Sequence, residues 1–165
     1  MRRLTLEIVA ATALTLGAIL SLASGANASD VMVSSAYARA SAVSTAKAGS
    51  VYMTVMNHGA ETDRLIGIRT DAARTASLHE TVTENGVTSM SEIKTLDLAP
   101  GAVQELKPNG MHVMLTGLNG PLKSGSTIKL TLVFERSGEI AVDVPVGGVA
   151  ASGEDHTTHT GVSPN

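Results

Sequence analysis

Residues 79–114 read HETVTENGVTSMSEIKTLDLAPGAVQELKPNGMHVM and contain the clearest structural signal in the chain. Asn85-Gly86 separates two runs that are rich in β-branched residues. An Asn-Gly pair between such runs is the strongest short signal for a two-residue type I′ hairpin turn. With these two residues as the turn, Glu84 pairs with Val87, and the stretch predicts an antiparallel hairpin.

The register of this hairpin sorts its side chains onto two faces. Counting back from the turn gives three further cross-strand pairs, which are Thr81 with Met90, His79 with Glu92, and Leu78 with Ile93. His79 and Met90 then lie diagonally on one face, about 7–8 Å apart at the backbone and within reach of a long side chain. Leu78 and Ile93 face the other way, and we expect that face to be buried in the core.

A third predicted strand, residues 111–118, shows the same sorting. Met111, Val113 and Leu115 alternate toward one face, which is predicted to be core. His112 and Met114, at i and i+2, share the other face, which we expect to lie near the surface. Strand periodicity carries no information on whether this strand lies beside the hairpin.

Four side chains of the opening stretch can bind a soft metal ion, and they are His79, Met90, His112 and Met114. Thioether sulfur is a soft donor that suits Cu(I), and imidazole also binds copper. Two neutral imidazoles and two thioethers add no charge to the ion, which favours Cu(I) over divalent ions. The donor set therefore predicts one Cu(I) site per chain.

The 165-residue chain contains no cysteine. This excludes disulfides, cysteine zinc sites and the thiolate-ligated copper of blue electron carriers. Histidine and methionine cannot form disulfides, so a His/Met site persists in an oxidising compartment. The net charge is −3 and only three residues are aromatic, so the chain lacks the basic patch and the stacking platforms of nucleic-acid-binding proteins.

Residues 1–28 have the features of a secretory signal peptide. Arg2 and Arg3 form a charged start, residues 8–22 are an apolar run, and Ala26-Asn27-Ala28 is a small-x-small cleavage site. The run is shorter than the roughly 20 residues that cross a bilayer, and an uncleaved anchor is the alternative. Because no cysteine is present for lipid attachment, we expect a periplasmic monomer that begins near Ser29 and has no membrane association.

Short β-rich runs continue through the chain, with Gly, Pro and Asn between them at roughly 8–12-residue intervals. The predicted strands are residues 31–40, 50–56, 65–69, 74–83, 87–96, 102–107, 111–118, 126–136 and 139–146. No segment has a convincing helical period. The pattern predicts an all-β sandwich or barrel of short antiparallel strands that occupies residues 29–147.

The remaining histidines and methionines have simpler interpretations. Ordinary packing in the core is expected for Met32, Met53, Met56 and Met111. His58 follows a strand in a turn and is predicted to be solvated. Residues 148–165 are rich in small and acidic residues and predict a flexible tail. Its His156 and His159 are a candidate accessory site for Cu(II) or Zn(II).

The spacing of the four donors, H-x10-M-x21-H-x-M, matches without insertion the motif of the periplasmic copper chaperones called PCu(A)C. The resemblance extends over residues 31–146. It includes the segments VYMTVMN (51–57), DRLIG (63–67), LHET (78–81), LKPNG (106–110) and PLK (121–123). One departure is Tyr37, where members of this family usually carry Trp.

The resemblance implies a cupredoxin-like Greek-key β-domain that binds one Cu(I) through His79, Met90, His112 and Met114. It also implies a carrier, not an enzyme, that delivers copper to the CuA centre of cytochrome c oxidase, often alongside a Sco-type thiol protein. Some relatives have a His/Met-rich carboxyl extension, whereas the tail here has two histidines and no methionine.

Other functions remain open at this point. The domain could be a secreted copper storage or resistance protein, or a copper oxidase or monooxygenase. An oxidase would need an open coordination position and a substrate pocket, and the sequence indicates neither. The domain could also be a sandwich-type interaction module with incidental Met and His. In that case, replacing Met90 and Met114 with Leu would leave its function intact.

Overall fold

The computed structural model describes residues 30–152, and every regular element within them is a β-strand. The ten strands are β1 Val31–Arg39, β2 Ala48–Asn57, β3 Asp63–Thr70, β4 Ala73–Glu84, β5 Val87–Ile93, β6 Leu96–Leu98, β7 Val103–Leu106, β8 Met111–Leu118, β9 Thr127–Phe134 and β10 Gly138–Gly147. Nothing in this part of the chain is a helix of the length and apolarity needed to span a membrane. The predicted signal peptide, His156 and His159 lie outside the described residues.

Hydrogen bonds join nine strands in the order β5-β4-β8-β2-β1-β10-β9-β3-β6, and β7 also pairs with β2. The contact between β1 and β10 is parallel, and the other pairs among the described strands are antiparallel. Neighbours that are distant in sequence, such as β4 and β8, require the long connections typical of Greek-key topology. The predicted all-β class is therefore confirmed.

One apolar core joins side chains from both halves of this strand order. We call the first half, β5-β4-β8-β2-β1, the site layer. It contributes Val51 and Val113 to the core, and the second half contributes Leu130 and Leu132. All four residues are fully buried. Because successive side chains of a strand point to opposite faces, the alternate residues of the site layer lie on its outer face. The candidate metal ligands belong to this outer set.

The hairpin of β4 and β5 has the register that the Asn85-Gly86 turn predicts. The cross-strand partners are Glu84 with Val87, Thr81 with Met90, His79 with Glu92, and Leu78 with Ile93. Asn85 and Gly86 have positive φ angles of 51° and 78°, as a type I′ turn requires. β5 is the last strand of the site layer, and all of its residues except Ile93 are exposed.

The predicted strand at residues 87–96 is two strands in the structure. β5 ends at Ile93, and β6 begins at Leu96, where it pairs with Leu65 of β3 in the other half of the strand order. Lys94 and Thr95 therefore carry the chain from one half to the other. A continuous β-rich run cannot indicate such a crossing, because both parts satisfy the same strand pattern.

The prediction that four methionines lie in the core is wrong for two of them. Met53 is buried, and Met111 packs against the core while remaining partly exposed. Met56 is half-buried and lies on the outer face of β2. Met32, its cross-strand partner on β1, is 53% exposed, because the alternation of β1 places it on the outer face.

β7 and β8 form one interrupted edge along β2. β7 pairs with the second half of β2 through Met53 and Leu106, and β8 pairs with the first half through Val51 and Val113. Between the two strands, residues 107–110 leave the sheet in a turn that is closed by hydrogen bonds between Lys107 and Met111 and between Gly110 and Lys107. β8 therefore re-enters the sheet between β2 and β4, with His112 as its second residue.

Two buried polar side chains, those of Asn57 and Asp63, hold loops in place. The buried Asn57 donates from its side-chain amide to the carbonyl oxygens of Glu61 and Leu98, both at 2.8 Å. The carboxylate of the buried Asp63 accepts backbone N–H bonds from Arg64, Arg136 and Ser137. Burial alone would raise the pKa of Asp63, but a hydrogen bond from the Ser137 side chain and these backbone bonds outweigh it, and the pKa lies below its ordinary value.

The chain does not leave the domain at the predicted boundary of residue 147. After β10 it packs back against β1, where Ala151 is 4% exposed in a cluster with Tyr37 and Tyr52. Arg39 donates from Nε to the carbonyl oxygen of Ala151 at 3.0 Å. The first residues assigned to the tail are therefore packed against the domain. Composition does not reveal this packing, because Ala151 is the one residue of this segment that enters the tyrosine cluster.

Candidate metal centre

The two candidate histidines face each other across neighbouring strands. β4 and β8 are antiparallel, and His79 is the direct partner of His112 in their register. Their ring centroids are 6.2 Å apart, with 27° between the ring planes. The structure thus supplies the contact that strand periodicity leaves open, with β8 beside the hairpin and both imidazoles on the outer face of the site layer.

The two candidate thioethers lie on either side of this histidine pair. Met114 is the next outward residue of β8, opposite Ser77 of β4 on one side and Ser50 of β2 on the other. Met90 lies on β5 opposite Thr81, and Thr81 is the next outward residue of β4 after His79. Three adjacent strands, β5, β4 and β8, therefore bring all four predicted ligands to one face.

A backbone carbonyl fixes the ring of His112. Its Nδ1 lies 3.0 Å from the carbonyl oxygen of Gly110, which also accepts the backbone N–H of Thr81 at 3.2 Å. A carbonyl only accepts hydrogen bonds, so neutral His112 carries its proton on Nδ1. The lone pair is then on Nε2, the nitrogen that is free to bind a metal ion, and the turn at residues 107–110 acts as the outer shell of the site.

His79 has a looser partner. Its Nδ1 lies 3.4 Å from the hydroxyl oxygen of Ser77, two residues earlier on β4. A hydroxyl can donate or accept, so this contact is compatible with a proton on Nδ1 and a metal-binding lone pair on Nε2. Both histidines can therefore leave Nε2 available to a metal ion.

The four donors differ strongly in exposure. His112 is 5% exposed, whereas Met90 is 53% exposed; His79 and Met114 are intermediate. The expectation of a site near the surface is therefore wrong for His112, although the residue is on the predicted face. The reason is the neighbouring strand β2, whose outward Tyr52 has its ring centroid 6.3 Å from that of His112.

Sequence reasoning missed the aromatic group beside His112. Tyr52 lies 5.1 Å from Tyr37, centroid to centroid, and the guanidinium carbon of Arg39 is 5.4 Å from the centroid of Tyr52. The sequence could have placed Tyr52 on the outer face, because alternation makes Ser50, Tyr52 and Thr54 the outward residues of β2. What the sequence could not indicate is that β2 and β8 are neighbours.

The chemistry of the donors fits a soft, monovalent ion. Within residues 30–152, no three His, Asp or Glu side chains are grouped so that they could hold a metal ion. The nearby donors are instead two imidazoles and two thioethers, which suit Cu(I). The assignment of His79, Met90, His112 and Met114 as ligands stays a prediction that this geometry permits.

Comparison with known proteins gives consistent matches. The LpqE-like family profile matches residues 31–146. A protein of Leifsonia xyli subsp. xyli, whose name describes it as a lipoprotein, is 35% identical over 133 residues, which is 80% of this chain and 78% of that protein.

Two solved structures share the fold. The solution structure of CuI-DR1885 from Deinococcus radiodurans is 30% identical, with a TM-score of 0.53 over 76% of this chain and 85% of that one. The copper-bound PCuAC domain from PmoF2 is 24% identical, with a TM-score of 0.61 over 72% of this chain and 93% of that domain. The predicted cupredoxin-like fold is thereby confirmed.

Proposed function

This chain belongs to the LpqE-like family of PCuAC domains, and from this premise we propose that it is an exported copper chaperone that carries one Cu(I) ion. The observation that carries the proposal is the pairing of His79 with His112 across β4 and β8, with Met90 and Met114 on the same outer face. Two relatives by fold are described as copper-bound or CuI forms, which supports copper as the cargo.

We propose that each ligand has a distinct part in holding the ion. The Nε2 atoms of His79 and His112 supply two nitrogen donors. Nδ1 of His112 donates to the Gly110 carbonyl, and Nδ1 of His79 lies within hydrogen-bonding distance of the Ser77 hydroxyl. The thioethers of Met90 and Met114 supply soft sulfur donors that favour Cu(I). Because all four are neutral, the ion keeps its single positive charge.

The proposed destination is a protein with thiolate ligands, or the CuA centre of cytochrome c oxidase. Thiolates are stronger donors to Cu(I) than thioethers, so transfer to a Sco-type thiol protein is downhill. The exposed Met90 supports transfer over storage, because an incoming ligand can reach the ion from that side. We place this exchange in the periplasm. The family description and the name of one relative both contain the word lipoprotein, which supports export, and this sequence has no cysteine to carry a lipid.

The decisive experiment is a Cu(I) titration of the chain without residues 1–28, under reducing conditions and against a competing chelator. We expect one tight equivalent in the parent protein and its loss in a His79→Ala/Met114→Ala variant. A His58→Ala/Met32→Leu variant is the matched control, because both residues are exposed and neither is in the donor set. Equal affinity in the parent and in the His79→Ala/Met114→Ala variant would refute the site.

A second measurement tests the histidines by pH. A protonated imidazole cannot bind a metal ion, so Cu(I) affinity should fall between pH 7.5 and pH 5. Constant affinity over this range would contradict two histidine ligands.

Mixing the loaded protein with a reduced Sco-type protein or an apo CuA fragment then tests delivery. Retention of copper by the chain would favour storage.

A further inference from the structure

The chain after β10 is tied to the strands beside the candidate site. We call residues 148–152 the C-terminal strap. Within it, the backbone N–H of Ala151 bonds to the carbonyl oxygen of Gly148 at 3.1 Å, which forms a turn. This turn inserts the buried Ala151 into one cluster with Tyr37 and Tyr52. The strap therefore packs on the outer face of the site layer, at its β1–β2 side.

Arg39 connects the strap to the aromatic group. Its Nε donates to the carbonyl oxygen of Ala151, and its guanidinium carbon lies 5.4 Å from the centroid of Tyr52. A guanidinium over an aromatic face is attracted by the ring quadrupole. Arg39 thus holds the strap and Tyr52 in one arrangement.

Tyr52 completes the connection to the metal centre. Its ring lies beside His112, on the β2 side, while His79 lies on the β4 side of His112. One edge of the His112 imidazole is fixed by the Gly110 carbonyl, and the Tyr52 ring limits its movement away from His79. The contacts form a continuous path from the strap through Arg39 and Tyr52 to His112.

We propose that the C-terminal strap is a positioning element for the copper ligand His112, with Arg39 and Tyr52 as the residues through which it acts. The inference rests on the proposed function. Groups that orient a metal ligand from outside typically change metal affinity 10–100-fold when they are removed. Coupling between two sites is reciprocal, so a bound Cu(I) also stabilises the docked strap.

Two truncations separate the strap from the tail histidines. One chain ends after Gly147 and lacks the strap; the other ends after Ser152 and keeps it. Both lack His156 and His159, so any difference between them belongs to residues 148–152. In Cu(I) titrations we expect the chain ending at Ser152 to match the full chain, and the chain ending at Gly147 to bind about 10-fold more weakly. Equal affinities of the two truncations would overturn the inference.

A point variant tests the same path without shortening the chain. Arg39→Met removes the hydrogen-bond donor and the cation while keeping an apolar stem, and should also weaken Cu(I) binding about 10-fold. The chain contains two tyrosines and no tryptophan, and both tyrosines belong to this cluster. Tyrosine fluorescence therefore reports directly on loss of the packed arrangement in each variant.

A double-mutant cycle separates positioning from general destabilisation. Strap removal in a Met90→Leu background should still weaken Cu(I) binding about 10-fold, whereas in a His112→Ala background it should have no further effect. An equal loss in both backgrounds would show a merely structural role. Failure of the full chain to bind Cu(I) would refute the proposed function itself, whereas tight binding with no effect of the strap would refute only this inference.

Discussion

His112 on β8 and Met90 on β5 lie on the same face of one layer, but their surroundings are opposite in character. His112 is buried, its Nδ1 is bonded to the Gly110 carbonyl, and Tyr52 lies against its ring. Met90 is exposed on β5, the strand at the end of the order, which pairs with β4 and with no other strand of residues 30–152. The site therefore has a fixed side and an open side.

This difference is what a carrier of a metal ion requires. A ligand held by its surroundings loses little conformational freedom when it binds, so it contributes strongly to affinity. An exposed, flexible thioether is accessible to a competing ligand and leaves with little disturbance of the core. We therefore expect ligand exchange with an acceptor to begin at Met90 and to end at His112.

The largest effect should come from removing His112, the proposed ligand on the fixed side. His112→Ala should weaken Cu(I) binding more than about 100-fold, beyond the range typical of groups outside the ligand shell. The reason is that the variant removes a proposed nitrogen donor that Gly110 and Tyr52 hold in place. Competition titration measures the effect, and His58→Ala, which replaces an exposed histidine just after β2, should leave affinity unchanged. A loss no larger than that of Met90→Leu would remove the distinction between the two sides.

The second effect concerns the half of the fold away from the site. Asp63→Asn should lower the free energy of unfolding by about 2 kcal/mol at pH 7, because the amide cannot accept all three backbone N–H bonds of the carboxylate. Urea unfolding measures this, and Cu(I) affinity at pH 7 should not change. A parallel loss of affinity would mean that the site is sensitive to any loss of stability.

The same residue gives a pH dependence with a defined sign. The pKa of Asp63 is lowered in the folded protein, so its stabilisation is fully present above its unfolded pKa of about 4 and is lost as pH falls through the folded value. The parent protein should therefore lose stability below about pH 4, and Asp63→Asn should lose less. Identical acid unfolding curves for the two proteins would contradict this assignment.

The two sides of the site were not equally predictable from the sequence. The hairpin that carries His79 and Met90 is local: the Asn85-Gly86 turn sets its register, and each predicted pair is present. The outward position of Met114 also follows from alternation along β8. The open side could thus be derived from short-range rules, because a two-residue turn and a period of two residues determine it.

The fixed side depends on contacts between segments far apart in the chain. His112 is buried because β8 lies between β4 and β2, and Tyr52 of β2 is 60 residues earlier in the numbering. Neither the separation of β5 from β6 nor the insertion of Ala151 leaves a periodic signal. The soft-donor chemistry of the side chains suggested the ligand set, and the resemblance to a known family agreed with it, but the supports of His112 required the tertiary structure.

A smaller effect is expected on the open side. Met90→Leu should weaken Cu(I) binding about 10-fold, because it removes one thioether and keeps a side chain of similar size. It should also change the rate at which copper passes to a thiol acceptor, measured by stopped-flow mixing. Met32→Leu is a matched control, since Met32 is equally exposed at 53% on β1. If Met90→Leu and Met32→Leu behave alike, Met90 is not a ligand.

The smallest effect should come from loosening the hairpin without touching a ligand. Gly86 has a φ of +78° with open space around it, so Gly86→Ala introduces backbone strain of about 1 kcal/mol and no clash. We expect faster hydrogen exchange at the β5 amides, unchanged exchange at β8, and a fall in Cu(I) affinity of less than about 5-fold. Gly120→Ala is the control, because Gly120 has equally open surroundings and no positive φ. Equal acceleration of amide hydrogen exchange in β5 and β8 would mean that the two sides of the site open as one unit. Stepwise release of Cu(I) that begins at Met90 would then have no structural basis.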